Sequence, residues 1–380
     1  MTSSASTGVF AQDETRPVAD SRSFEELANR ARQALDANHN SEAIRLFERA
    51  VELRPTWSEG WWSLGTVFYD ASQFAQAHDA FLHFVTVEHT QAGPGYGMLG
   101  LTEFQLKDYQ KARIAFERGI ALGLGDNAEF AEEVLYDDGI VNNLVGQPEF
   151  ALIRLKLIAN RIAAAHPQDP VSPVLADTRL LDAFGLAALR MQKLPTEIPE
   201  GKAKLVREAG VAQAYVAELD NANAGKEIRQ IVAGYPSEPG VHYMYGVFLL
   251  KEDPPSAPEQ FRQEIAISPK DAAARIQLAL EFLRVSDYKQ GLKYAQEAIA
   301  LVPDNFVAHV ACGRLWLGLG NSDRALHELH TAVKLSPGSP EAHFALSRAL
   351  TEAGKTSEAA LERKEFERLK ALANKDDRER

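Results

Sequence analysis

A chain of 380 residues that is 45% apolar and 25% charged has the make-up of a folded protein and not of a disordered one. Its formal net charge of −12 argues against a broad basic face for nucleic acid or an anionic membrane. Cys312 is the only cysteine, which excludes an internal disulfide and a thiolate metal cluster, and no apolar run has the length of a membrane span.

In chain order, residues 1–22 are rich in Ser and Thr and poor in apolar side chains, and are expected to be disordered. Val9-Phe10-Ala11-Gln12 has the form of a secretory cleavage site, but the apolar stretch that should precede it is missing. Two readings stay open: a chance likeness in a cytoplasmic protein, or a true start upstream of Met1 and a secreted or periplasmic one.

From Phe24 onward the chain is periodic. Ala43, Ala77, Ala112, Ala151, Ala224, Ala257, Gly291, Ala325 and Ala359 recur at about 34 residues, the period of a helix–turn–helix repeat. Each follows a second small residue: Ala31, Gly65, Gly100, Gly139, Ala212, Gly246, Ala279, Gly313 and Ser347. Small side chains at fixed points mark close helix crossings, where extra volume would cost about 1–3 kcal/mol.

Residues 23–125 read as three units. The first has Leu27, Ala31 and Ala34 on one helix and Ala43, Phe47 and Ala50 on the next, with Ser41 as expected N-cap and Pro55 as stop. The second repeats this with Trp61, Leu64, Gly65, Phe68, Ala77 and Phe81, and the third with Tyr96, Leu99, Gly100, Tyr109, Ala112 and Phe116.

Residues 126–204 are irregular. Gly139 and Ala151 stay in phase, but Asp138 and Asn142 occupy apolar positions, and the second helix runs long, from Pro148 to about Ala165. Leu175 to Met191 reads as one helix. Val171 to Lys204 is expected to be one degenerate repeat, a bend between two arrays. Between Gly119 and Ile153 there is no Lys, Arg or His, which suits either a solvated acidic face or a docking strip for a basic segment.

Regular units return near Leu205 and fill residues 205–371, about five in number, closed by a charged capping helix with Leu361, Phe366 and Leu369 as its apolar stripe. Residues 372–380 form a charged tail.

The pattern resembles the tetratricopeptide repeat family, most closely at His309, Cys312, Gly313, Trp316, Ala325, Leu329, Ala332 and Pro337. The resemblance implies an all-α fold, a right-handed α-solenoid of about nine to ten stacked helix–turn–helix units. It also implies a concave groove lined by the first helix of each unit. In the C-terminal array the groove positions hold Tyr243, Val247 and Leu250, then Ile276, Leu280 and Leu283, then Val310, Arg314 and Leu317, and then Phe344 and Arg348. In the N-terminal array they hold Trp62, Tyr69 and Phe104. An apolar floor with two arginines one repeat apart suits a peptide carrying an acidic group, or else helix packing with internal ion pairs. Family members that grip chaperone-tail carboxylates use fixed Lys, Asn and Arg positions. Here these hold Ala28, Arg32, Ser63, Pro94 and Met98, so that clamp is absent.

Signs of chemistry are weak. Gly95-Tyr96-Gly97-Met98-Leu99-Gly100 has dinucleotide-fingerprint spacing but no strand to precede it. His327-Glu328-Leu329-His330 lacks zinc-site spacing. His242, His309 and His343 share one repeat position and are expected to be partly buried and neutral. No catalytic, cofactor or metal residue is assigned. The expected function is a non-catalytic scaffold or adaptor that binds a protein or peptide and mediates complex assembly. The alternative is a small-ligand-sensing or enzymatic protein with a pocket at Asp137, Asp138, Asn142 and Asn143. The sequence specifies neither the partner nor the oligomeric state.

Overall fold

The computed structural model describes residues 16–89, 92–166 and 172–378, so the Val9–Gln12 motif lies outside the described residues. Among these, nineteen α-helices and three short 3-10 turns are present and no strand is. The chain divides into two compact units, Met1–Ile158 and Ala159–Arg380. Each is a stack of antiparallel helix pairs, the α-solenoid arrangement.

The first unit contains α1 (Arg16–Asp36), α2 (Asn40–Leu53), α3 (Ser58–Asp70), α4 (Phe74–Val87), α5 (Ala92–Gln105), α6 (Tyr109–Leu122), α7 (Ala128–Leu144) and the start of α8 (Pro148–Ala165). Helix α1 begins at Arg16, inside the segment expected to be disordered. Consecutive helices pair as the small-residue ladders predict. Gly65 on α3 lies under Phe81 of α4, and a Cβ on it would come within 2.6 Å of that ring. Gly100 on α5 takes Phe116 of α6 in the same way, at 2.4 Å. Phe47, Phe81 and Phe116 are fully buried, each worth about 1.5–3 kcal/mol of transfer free energy.

The turn inside each pair is also repeated. The first helix ends in a left-handed residue, Asn38, Ser72, Lys107 or Gly146, and the next amide reaches back to close the turn, as from Gln73 N to Phe68 O at 2.8 Å. Ser41 is therefore not an N-cap. The cap position belongs to His39, which makes no side-chain cap bond, because the left-handed Asn38 turns the chain two residues earlier than expected.

The second unit holds α9 (Thr178–Ala188), α10 (Glu200–Ala217), α11 (Asn221–Gly234), α12 (Val241–Glu252), α13 (Ala257–Ile267), α14 (Ala272–Arg284), α15 (Tyr288–Leu301), α16 (Phe306–Gly318), α17 (Ser322–Leu335), α18 (Pro340–Glu352) and α19 (Thr356–Arg378). From α10 onward these form five pairs, and α19 continues through the segment expected to be a tail.

The irregular stretch differs from expectation. Leu175 to Met191 is not one helix. Pro173–Ala176 forms a 3-10 turn, and Asp177 then caps α9 by accepting the Leu180 amide at 3.0 Å. Val171 to Lys204 is not a degenerate pair either. It supplies one extra helix, α9, and α10 is shared between α9 and α11. The α9–α10 crossing is very close: a Cβ on Gly185 would sit 1.9 Å from Val206 O, and one on Gly210 2.0 Å from Leu181 O.

Candidate functional site

Helices α14, α16 and α18 each carry groove positions, and with Tyr288 at the start of α15 they border a cavity of about 490 Å³ lined by Leu283, Arg314, Leu317, Phe344, Arg348, Glu341 and Glu352. Five expected groove residues, Leu283, Arg314, Leu317, Phe344 and Arg348, thus line one cavity. The arginines face carboxylates of their own array. Arg314 Nη1 is 3.3 Å from Glu341 Oε1, and Arg348 Nη2 is 3.7 Å from Glu352 Oε1. All four side chains are well exposed, so each pair is screened and contributes at most about 1 kcal/mol. Phe344 is 40% exposed, with its ring centroid 5.1 Å from that of Phe366 on α19.

The other groove positions of this unit lie deeper. Val310 and Ile276 are buried in helix packing, and Leu280 is half-buried against the Ala279–Leu315 cluster. Tyr243 is buried beside Phe261, and the guanidinium of Arg190 lies 4.5 Å above its ring. Arg190 also reaches Asp271 at 2.7 Å and so ties the end of α9 to the start of α14. Val247 remains exposed. Sequence reading missed Arg190 because its left-handed position at the end of α9 follows no repeat register.

In the first unit the three aromatic positions are half-buried and engaged with neighbouring rings. Trp62 meets Phe81 and Phe84, Tyr69 meets Phe74, and Phe104 meets Tyr109. Burial, and then the carboxylates of Glu133 and Asp137, push the Tyr69 phenol up to about 12. Arg32, at a clamp position, is committed to Glu59 through two bonds of 2.6 and 2.7 Å.

The polar cluster of the alternative reading is largely inward-facing. Asp138 is fully buried and accepts from Arg154 Nε at 2.7 Å and from Asn142 Nδ2 at 2.8 Å. Desolvation raises its pKa, with Arg154 opposing the shift. Its carboxylate joins α7 to α8. The fingerprint-like glycines lie within α5, where Gly95 faces Phe84 and Gly97 faces Phe130.

Tetratricopeptide repeat family models match residues 29–95, 313–365 and 94–122. No curated protein matches the chain. Similar solved structures include a MamA RS-1 ArsTM double mutant, 18% identical over 46% of this chain and 97% of that one, with a TM-score of 0.41. MamA 41-end from Desulfovibrio magneticus RS-1 is 19% identical over 45% of this chain and 96% of that one, with a TM-score of 0.41. A further MamA crystal structure is 17% identical over 43% and 97%, with a TM-score of 0.39. The matches run from the second half of α1 through α6 and from α16 into α19, and these segments are tetratricopeptide repeats.

Proposed function

We propose that the chain is a non-catalytic adaptor that holds an acidic peptide segment of a partner protein in the groove formed by α14, α16 and α18. One observation carries this reading: Arg314 and Arg348 share a single cavity with the apolar Leu283, Leu317 and Phe344, beside Glu341 and Glu352. Their own partners, Glu341 and Glu352, are exposed and weakly held, so an incoming carboxylate exchanges for them at little cost. Charge-assisted bonds from arginine would fix the acidic group, and Phe344 and Leu317 would bury a neighbouring apolar side chain.

The role is one of binding and assembly, as tetratricopeptide repeats support in general. No helix among the described residues is long and apolar enough to cross a membrane. The test is Arg314→Glu with Arg348→Glu, assayed by affinity capture from native lysate beside the wild type. Loss of a specific partner with unchanged helicity supports the groove. An identical set of captured proteins removes it.

A further inference from the structure

A second cavity, of about 890 Å³, lies in the first unit between α4, α5 and α6. It opens where the repeat breaks its own rule. Three residues after the small residue of the first helix, six units place a large apolar side chain, Phe68, Tyr215, Leu249, Phe282, Trp316 or Leu350, and the first places Ala34. The third unit places Glu103 there, 4% exposed and on the cavity wall. A carboxylate in place of an aromatic ring removes volume and leaves a buried charge.

A histidine stands opposite it. Immediately after the small residue of the second helix the units vary, with Ile44, Leu152, Leu292 and Leu326 in four and Arg113, Gly225, Pro258 and Ala360 in four others, and the second unit has His78. His78 Nε2 lies 3.1 Å from Glu103 Oε1. The rest of the wall is mostly apolar, with Leu82, Tyr96, Leu99 and Ile114, and also carries Lys111, Glu117 and Arg118. Leu82 and Ile114 are 47% and 58% exposed, so their apolar surface is open to a ligand. The basic residues of the wall have neighbours of their own. Lys111 Nζ is 2.8 Å from Asp108, and the Arg118 guanidinium lies over the Tyr96 ring at 6.0 Å.

We propose that this cavity is a small-molecule site for an ammonium ligand with an aromatic-sized apolar body. The ammonium pairs with the Glu103 carboxylate, and the body fills the space that the repeat's aromatic ring occupies elsewhere, between Leu82 and Ile114. The volume falls within the range of small-molecule pockets, and a few polar groups in an apolar wall are their usual chemistry. In the fourth unit Asn142 holds the same repeat position and there bonds Asp138, which Arg154 also holds. This site is independent of the Arg314/Arg348 groove.

The experiment is isothermal titration calorimetry of the full chain with 2-phenylethylammonium, beside the neutral 2-phenylethanol. Saturable one-site binding of the amine, at least ten-fold tighter than the alcohol, is expected. Glu103→Gln should weaken the amine at least ten-fold and leave the alcohol unchanged. Glu103→Phe restores the repeat's aromatic and should abolish both while keeping helicity and melting temperature. Arg314→Glu with Arg348→Glu should bind the amine as the wild type does. Absence of saturable amine binding at millimolar concentration, equal affinity for amine and alcohol, or unchanged binding by Glu103→Phe would each overturn the assignment.

Discussion

His309 Nδ1 lies 2.6 Å from Glu328 Oε2, joining the first helix of a repeat to its second, while His309 Nε2 reaches the carbonyl of Pro303 at 2.9 Å. A carbonyl only accepts, so Nε2 carries a proton and donates it. The same three-part clasp recurs at His343, with Glu362 and Pro337 at 2.5 and 2.9 Å, and at His242, with Gln260 and Pro236 at 2.7 and 3.1 Å. Each clasp joins the turn that ends one repeat to both helices of the next. A shared repeat position is thereby explained without a metal or a catalytic role.

The clasp predicts an asymmetry between its members. His309→Ala removes two hydrogen bonds, to Glu328 and to the Pro303 carbonyl, and should cost about 1–3 kcal/mol. Glu328→Gln should cost less than about 1 kcal/mol, because an amide already holds this place opposite His242. Urea unfolding of the full chain followed by circular dichroism measures both. Equal losses would mean that charge, not hydrogen-bond geometry, holds the joint.

The buried pair between α7 and α8 makes a second prediction. Arg154→Met leaves the Asp138 carboxylate without its cation and should destabilise by about 3–5 kcal/mol. Adding Asp138→Leu to that variant should recover most of the loss. The pH dependence has a definite sign. Desolvation raises the native pKa of Asp138, so the folded state binds this proton more tightly than the unfolded state does. The contribution is full below the ordinary carboxylate value and is lost as pH rises through the raised native value. Wild-type stability minus that of Asp138→Asn should therefore fall as pH rises across that window. A difference that grows with pH would show that Arg154 outweighs desolvation.

The ladder of small residues was legible because close helix crossings force it at every turn of the stack, as at Gly65, Gly100 and Gly313. The interrupted segment was not, since Asp177 ends one turn and starts α9 by a local cap that leaves no mark on apolar periodicity. The groove was half legible. Repeat register gives the face of a helix but not the depth, and Val310 sinks into packing while Arg314, one turn on, reaches the cavity. Glu103 was not singled out, because the open space beside it depends on the helices around it.

The close contact of α9 with α10 predicts opposite effects for glycines at the crossing and for one away from it. Gly210→Ala and Gly185→Ala press a methyl into backbone carbonyls, which cannot yield as side chains do, and each should cost more than about 3 kcal/mol. Gly201→Ala, in the first turn of α10 with nothing within 4 Å, should stabilise by about 0.5–1 kcal/mol. Thermal melts of the three variants test this. A tolerated Gly210→Ala would mean that α9 does not lie against α10 so closely.

Cys312 offers an internal reporter of the C-terminal repeats. It is fully buried, and its thiol is pushed up to about 12, first by burial and then by the nearby Glu328 carboxylate. The thiolate is the reactive form, so the closed array should resist a disulfide reagent at pH 8, and labelling should proceed through opening of the repeats. The pH profile separates the two routes. An opened array exposes an ordinary thiol, so the labelling rate should stop rising near pH 8.5–9, roughly the unperturbed thiol value. Attack on the closed array would keep rising tenfold per pH unit towards 12. His309→Ala loosens the clasp that includes Glu328, and should therefore speed labelling at pH 8 by the same factor by which it favours the open array. Labelling of the wild type in buffer as fast as in denaturant would show that Cys312 is not enclosed by α16 and its neighbours.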